Sequence, residues 1–235
     1  MSNALTDKNS YVSILSMKKF VSFFALAMLC ALSLSAWEHS AGFEFSAPFF
    51  SINAKSDGIK NVFEPQATLR YFGKAQNGFC VSGALGFGIP LSKNFTLDGE
   101  DATARGFGME MAFGAGYAFK ITDRLALAAL GSLSLDWTRF KYSKQLSYQI
   151  YRGRVTGGGE WTQTDNALFV GVGAEALARF KLTEKLSLVG SCALRFLDGG
   201  TLWKSGSRQN LNYDISCDLR GNFSVTPSVG ASWTF

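Results

Sequence analysis

Histidine is almost missing from this chain of 235 residues, which contains only His39. A Ser-His-Asp triad, a Cys-His dyad or a histidine-rich metal site needs an imidazole held against its partners, so the sequence argues against these chemistries. Charged residues make up 17% of the chain, below the roughly 25% of ordinary soluble domains. The net charge of +5 is too small and too scattered to indicate nucleic-acid binding.

Glycine and phenylalanine are abundant instead, with 25 and 21 copies, while proline is limited to 4. The hydrophobic content of 47% excludes a disordered chain, and 4 cysteines are too few for a disulfide-dense mini-protein. This composition favours strands, tight turns and an apolar surface.

The first 36 residues have the composition of an export signal. Residues 17–36 read MKKFVSFFALAMLCALSLSA, with two lysines, an apolar run and small residues at the end, which is the pattern of a secretory signal peptide. We expect cleavage after Ala36, with Ser35 as the alternative, and Met17 is a second candidate start. An uncleaved anchor is the competing interpretation, but this run is shorter than the roughly 20 residues of a spanning helix. The expected division is a signal peptide at 1–36 and a mature domain at 37–235.

The mature chain alternates apolar residues with polar or small ones at a period of two, which is typical of strands with two different faces. The pattern predicts eight strands, at residues 42–54, 61–73, 79–89, 107–120, 125–138, 168–180, 186–196 and 219–235. Each has at least the roughly 9–11 residues of a tilted membrane strand. The phase slips near Pro48, where we expect a β-bulge.

The predicted connections alternate in length. Short turns are expected at 73–78, 122–124 and 183–185, and longer loops at 91–105, 139–165 and 198–212, whereas the first loop, 55–60, is short. Residues 120–127 and 181–188 match position for position in residue type. We therefore expect the same kind of hairpin twice on one rim.

Alternation alone does not say which face points inward, because a soluble β-sandwich or a lipocalin-like barrel alternates too. The polar face combines a few charged residues with many Gly, Ala and Ser residues. A soluble barrel would place long charged side chains outside, whereas a narrow lumen needs small residues to make room for a few large ones. The sequence therefore predicts an all-β protein, an eight-stranded antiparallel up-and-down transmembrane β-barrel.

In strand number, in turn alternation and in the terminal segment Ser228-Val-Gly-Ala-Ser-Trp-Thr-Phe235, residues 37–235 resemble the small eight-stranded outer-membrane barrels of the OmpA, OmpX and OmpW type. The resemblance is architectural, since no internal motif selects one of these families. It implies location in the cell outer membrane, contact with its lipid, and recognition of Trp233 and Phe235 by the outer-membrane assembly machinery. OmpW-like barrels pass small hydrophobic molecules, so for a channel the resemblance implies such a solute.

The first candidate site is the charged inner face, with Lys120 and Lys181 at the lower rim. Its predicted members are Glu64, Arg70, Glu110, Asp136, Glu175, Arg179, Arg195, Asp214, Asp218 and Arg220. Charges inside a narrow barrel must be paired or hydrated, so the set is either a salt-bridged plug or the lining of a pore. Inward glycines at 86, 88, 108, 114, 116, 171 and 173 suggest an unfilled part of the lumen, although small inner residues equally suit thin packing or a close approach of strands.

Hairpin spacing predicts two contacts within this set. Arg195 is expected near Asp214, and Glu110 near Asp136. The second pair brings like charges together, so it needs an arginine from another strand or a protonated carboxyl.

The second candidate is the basic and aromatic segment 139–165. It carries Arg139, Lys141, Lys144, Arg152, Arg154 and Trp161. Bases interleaved with aromatic rings suit phosphates, sulfated glycans or a host protein. The alternative is a solvated loop whose bases neutralise lipid phosphates.

The sequence therefore predicts an outer-membrane protein that acts as a narrow passive channel for small, and by resemblance hydrophobic, solutes. The alternative is a closed structural barrel without transport, whose loops bind a host molecule or surface ligand. His39 is expected before the first strand with no partner, so no enzymatic activity, catalytic residue, metal or cofactor is predicted, and no nucleic-acid partner.

Overall fold

The computed structural model describes residues 37–51, 61–91, 96–97, 100–101, 103–145, 148–151, 154–157, 160–208, 211–219 and 222–235. At residues 61, 96–105, 142, 144–161, 198–204 and 206–219, within those ranges, only the backbone is described. The predicted signal peptide, 1–36, and the predicted first loop, 55–60, lie outside the described residues. In the described part of the chain, no helix is long and apolar enough to cross a membrane.

The described residues form strands throughout. Their bounds are β1 Trp37–Ser46, β2 Phe49–Ser51, β3 Asn61–Phe63, β4 Gln66–Ala75, β5 Phe79–Gly88, β6 Thr96–Leu97, β7 Glu100–Asp101, β8 Thr103–Lys120, β9 Leu125–Gln145, β10 Tyr148–Tyr151, β11 Arg154–Gly157, β12 Glu160–Lys181, β13 Leu186–Arg208, β14 Leu211–Leu219 and β15 Asn222–Thr234.

Eight antiparallel walls close into one barrel. Three walls consist of two strands each, namely β1 with β2, β3 with β4, and β14 with β15. The other five walls are β5, β8, β9, β12 and β13, and each wall pairs with its neighbour along the chain. The last wall pairs with the first, with Ser40 opposite Thr234. The predicted eight-stranded antiparallel up-and-down barrel is confirmed.

The predicted faces are confirmed along the walls. On β9, Leu127 and Leu133 are exposed, whereas Leu130, Ser132 and Ser134 on the opposite face are buried. Large apolar side chains that a soluble protein would bury lie outside all around the barrel, including Leu69, Val172, Leu194 and Val229. This apolar outer surface matches a lipid environment.

The two matching turns have the same hydrogen bonds, as predicted. In the first, the Thr122 hydroxyl accepts from the Leu125 N–H at 3.0 Å. In the second, the Thr183 hydroxyl accepts from the Leu186 N–H, also at 3.0 Å. Both turns lie at the barrel end where the described chain begins and ends, since Lys185 O accepts from the Thr234 N–H at 2.7 Å. We call this the turn end.

The predicted bulge near Pro48 is wrong. The strand is interrupted between β1 and β2, but its register is unchanged, because Ser46 faces Ser228 and Phe49 faces Val225. The phase therefore continues, with Phe49 exposed and Phe50 buried. The register shifts instead between Leu168 and Val170, where β12 pairs with β13.

The predicted long loops are mostly strands. β9 continues to Gln145 and β12 begins at Glu160, so much of 139–165 is barrel wall, with the β10–β11 hairpin between. Likewise β13 and β14 occupy nearly all of 198–212, and β8 begins at Thr103. The 23 residues of β13 give a height of roughly 55–60 Å at the usual rise and tilt. An apolar band of about 25 Å covers less than half of that height.

Candidate functional site

One cluster of charged and hydroxyl side chains crosses the barrel interior. Arg70 of β4 lies 2.7 Å from the Glu44 carboxylate of β1 through its Nε atom, and 2.8 Å from the Glu175 carboxylate of β12 through Nη2. The same guanidinium donates to the Ser82 hydroxyl of β5 at 3.0 Å and to the Ser191 hydroxyl of β13 at 3.3 Å.

Ser228 of β15 completes this cluster. Its hydroxyl donates to the Glu44 carboxylate at 2.6 Å and lies 2.8 Å from the Ser191 hydroxyl. Six of the eight walls thus contribute a side chain to one connected layer, which we call the Arg70 layer. Arg70, Glu44 and Glu175 are nearly inaccessible, and the layer crosses the lumen at this height.

A second layer joins β13, β8 and β9. The predicted proximity of Glu110 and Asp136 is confirmed, since the two residues face each other across β8 and β9. The required cation comes from another strand, because Arg195 of β13 lies 2.5 Å from the Glu110 carboxylate. The Ser134 hydroxyl donates to Asp136 at 2.7 Å. All three charged side chains are buried.

Glu64 occupies a third position, just before β4. Its carboxylate accepts from the Gln66 amide at 2.7 Å and from the Thr138 hydroxyl at 3.2 Å. Gly108 leaves room for the Glu64 side chain, because a Cβ atom at position 108 would collide with the Glu64 carboxylate.

Apolar side chains fill two further levels of the interior. Towards the turn end, buried Phe72, Cys80, Ala118, Ala128, Leu130, Leu177 and Val189 form one cluster. Towards the other end, the rings of Phe50 and Phe169 stack at 6.5 Å between centroids, and Leu197 is fully buried. The interior therefore alternates charged and apolar layers along its length.

The inward glycines do not mark empty space. A Cβ atom at 86, 88 or 108 would strike Gln66 or Glu64, and one at 116 or 173 would strike the neighbouring strand's backbone. At Gly171 the obstacle is the Ser134 hydroxyl. The expectation of an unfilled lumen at these glycines is wrong, because the small residues admit larger neighbours.

The structure buries seven predicted members of the inner face: Glu64, Arg70, Glu110, Asp136, Glu175, Arg179 and Arg195. The predicted contact between Arg195 and Asp214 is wrong, because Arg195 faces Ser224 and Asp214 faces Ser205. Asp218 faces Thr201. The side chains of Asp214 and Asp218, and the whole of Arg220, lie outside the described residues.

Glu44, like Asp165, is a buried charged residue that the sequence pattern did not assign to the inner face. Its partner contacts lie on strands distant in sequence, and the assumed phase slip near Pro48 left its face undecided. Read without a slip, the alternation from Phe43 to Phe50 places Glu44 inward.

The basic segment is divided between wall and loop. Arg139 and Lys141 of β9 are exposed on the outward face, two residues apart and just beyond Trp137. Lys144, Arg154 and Trp161 lie on strands whose side chains are outside the described residues, as is the whole of Arg152.

At the turn end the interior opens into a vestibule with an empty volume of about 520 Å³, part of it open to solvent. Lys120, Arg124 and Lys181 line its rim, and Arg179 lies deeper. The hydrogen bond and positive charge of Lys120 lower the pKa of the exposed Asp123 carboxyl, 2.7 Å away. The described residues contain no group of three His, Cys, Asp or Glu side chains placed to hold a metal ion.

The carboxy-terminal residues also lie at the turn end. Trp233 and Phe235 are exposed on the outer surface. His39 is part of β1 rather than preceding it, and its Nδ1 lies 2.8 Å from the Tyr71 hydroxyl, so the expectation that it has no partner is wrong. The Phe235 ring stacks on His39 at 6.2 Å, and its N–H donates to the His39 carbonyl.

The fold of this chain resembles that of solved outer-membrane proteins. No protein-family model matches the chain, and no curated protein matches it significantly. The structure is similar to the crystal structure of a major outer membrane protein from Thermus thermophilus, with a TM-score of 0.57 and 13% identity over 83% of this chain and 99% of the other. Neisserial surface protein A gives a TM-score of 0.48 and 9% identity, over 86% and 98% of the two chains. The first likeness shows that the chain has the fold of an outer-membrane β-barrel.

Proposed function

We propose that residues 37–235 form an integral protein of the cell outer membrane that is closed to solutes and acts through the strands and hairpins beyond the membrane. The observation that carries the proposal is the Arg70 layer, to which six of the eight walls contribute. This conclusion favours the closed barrel over the passive channel that the sequence alone predicts.

Closure is supported by the order of layers along one wall. On β12, Arg179 is followed by Leu177 of the apolar cluster, by Glu175 of the Arg70 layer, and then by Phe169 under Phe50. A solute would have to displace buried ion pairs and a packed apolar cluster in succession. Parting a buried ion pair costs several kcal/mol.

The membrane position follows from the outer surface. The exposed apolar side chains suit lipid, and the turn end, with both chain ends, faces the periplasm in this proposal. Arg139 and Lys141 then lie where outer-leaflet phosphates are found, because they point outward beyond Trp137. These two bases are assigned to lipid rather than to a ligand.

We assign ligand binding to the outer end of β9, the start of β12 and the segment between them. Lys144, Arg152 and Arg154, with Trp161, are the remaining bases and ring of the sequence candidate, and they suit a sulfated or phosphorylated surface ligand. The long walls hold this segment well outside an apolar band of about 25 Å.

Liposome swelling tests the closed interior with neutral as well as charged solutes. Wild-type protein should leave swelling at the protein-free rate. The triple variant Glu44→Ser, Arg70→Ser and Glu175→Ser removes the Arg70 layer without leaving an unpaired charge. With Leu177→Ala and Phe169→Ala added, which open the apolar levels on either side, swelling should be faster. Swelling of wild-type liposomes in small sugars or amino acids would refute closure.

Binding of nanodisc-embedded protein to immobilised heparin, as a sulfated-glycan probe, tests the ligand. The variant Lys144→Ser, Arg152→Ser and Arg154→Ser should bind at least about tenfold more weakly, since it loses three cations. Lys185→Ser, at the turn end, is the control and should bind like wild type. Equal binding by both variants would exclude this segment as the site.

A further inference from the structure

The vestibule at the turn end combines a positive rim with an apolar floor. Five cations and two acids are among the residues that line it: Lys74, Lys120, Arg124, Arg179 and Lys181 against Glu38 and Asp123. Its floor is the apolar cluster, reached at Phe72, Ala118, Ala128 and Leu177. A cavity of this kind favours a ligand with an anionic head and a short apolar tail.

Arg179 is the group that points to a ligand. It is more than nine-tenths buried, yet its only described side-chain hydrogen bonds are long ones, 3.4 Å to Glu38 and 3.3 Å to the Thr234 hydroxyl. Its guanidinium lies 5.2 Å from the centroid of the Phe72 ring. A guanidinium has five N–H donors, and the Nε donor of Arg179 is buried with no partner among the described residues.

Arg179 lies between the part of the vestibule that suits an anionic head and the part that suits an apolar tail. It lines the vestibule and also a small cavity above it, with room for about one water molecule, which extends to Glu44 and Arg70. The cation therefore stands between the exposed lysines of the rim and the buried apolar floor. An anionic head at Arg179 would leave its tail against Phe72 and Leu177.

We propose that the vestibule binds a soluble amphipathic anion, an alkyl phosphate or carboxylate with a tail of about six carbons. Lys120 and Lys181 attract the head from the aqueous side, Arg179 holds it, and the floor buries the tail. Each buried methylene and each charge-assisted hydrogen bond adds affinity, so head and tail together should exceed either alone. The site is separate from the proposed ligand segment at the opposite end of the barrel.

The test is calorimetric titration of hexyl phosphate into full-length mature protein in phosphatidylcholine nanodiscs, with empty nanodiscs subtracted. Hexanol has the tail without the charge, and inorganic phosphate the charge without the tail. Hexyl phosphate should bind at least about tenfold more tightly than either. Equal affinity for hexyl phosphate and hexanol, or no saturable binding, would overturn the proposal.

Matched variants locate the site. The exposed pair Lys120→Ala and Lys181→Ala should weaken hexyl phosphate binding about tenfold, since two charge contacts are lost. Lys185→Ala is the control, because Lys185 occupies in its turn the position of Arg124 but does not line the vestibule. If Lys185→Ala weakened binding as much as the double variant, the lysines would act only through the general positive charge of this end of the barrel, which would contradict the proposed site.

A floor variant separates tail from head. Ala128→Leu should weaken hexyl phosphate and leave the weak binding of inorganic phosphate unchanged. If this variant does not fold, Ala126→Leu, at the half-buried lip of the same lining, serves instead. Unchanged hexyl phosphate binding in the folded floor variant would contradict a buried tail.

Discussion

Gly114 and Gly116 lie two residues apart on the same face of β8 but meet different surroundings. A Cβ atom at 116 would strike the Ala129 carbonyl of the neighbouring strand, whereas one at 114 has ordinary contacts of 3.4–3.5 Å. Backbone in a closed barrel has little room to move, so the two positions should differ in tolerance.

The prediction at the residue scale is that Gly116→Ala lowers the free energy of unfolding by about 1–3 kcal/mol, as overpacking does. Gly114→Ala, the matched control, should stay within about 0.5 kcal/mol of wild type. Guanidinium unfolding in detergent micelles measures both. Equal stability of the two variants would contradict the close strand approach at Gly116.

At the scale of elements, the two matching turns provide a test of equivalence. Thr122→Val and Thr183→Val each remove a hydroxyl that accepts a backbone N–H, so each should destabilise the barrel by about 0.5–1.5 kcal/mol. Thr122→Ser and Thr183→Ser keep the acceptor and should be close to neutral. A large effect in one turn and none in the other would contradict their equivalence.

The sequence predicted the walls within the membrane well, and their outer extensions poorly, for one physical reason. Lipid requires an apolar outer face, so alternation is strong from Leu125 to Trp137. In the proposed membrane position, the outer face beyond Arg139 meets water or headgroups, so β9 continues without the contrast between apolar and polar residues that the prediction needs. The same error shifted the predicted strand register. Treating 198–212 as a loop placed Asp214 opposite Arg195, whereas the residue that faces Asp214 is Ser205, ten positions further along β13.

The interior contacts were only partly predictable. The pairing of Glu110 with Asp136 was predictable, because the two residues lie on adjacent strands of one hairpin. The contact of Arg70 with Glu175, and that of Arg195 with Glu110, cross the lumen between strands that are not neighbours. Their geometry depends on barrel closure and stagger, which alternation does not encode.

For the whole molecule, the carboxy-terminal ring gives a prediction about assembly. Phe235 is exposed and stacks on His39 at the end of the barrel, so Phe235→Ala should refold in detergent like wild type. In cells it should reach the outer membrane at severalfold lower levels if the assembly machinery reads this residue. Phe223→Ala, at an outward phenylalanine of β15, the strand that Phe235 directly follows, is the control. Equal cellular levels of the two variants would contradict the signal.

For the whole molecule, we propose that side chains bridging the lumen close the barrel to solutes. The consequence is that the barrel carries no ions although its interior is rich in charge, because each described interior carboxylate or guanidinium has a polar contact with another wall or with a neighbouring side chain.

Single-channel current in a planar lipid bilayer measures this most directly. The wild-type barrel should be silent, whereas discrete conductance steps are expected when Glu110→Ser and Arg195→Ser are added to the swelling variant in which the Arg70 layer and both apolar levels are opened. Membrane insertion of both proteins is verified by protease protection in the same lipid. Discrete steps from the wild-type protein, altered by Glu110→Ser and Arg195→Ser, would contradict closure and establish the channel instead.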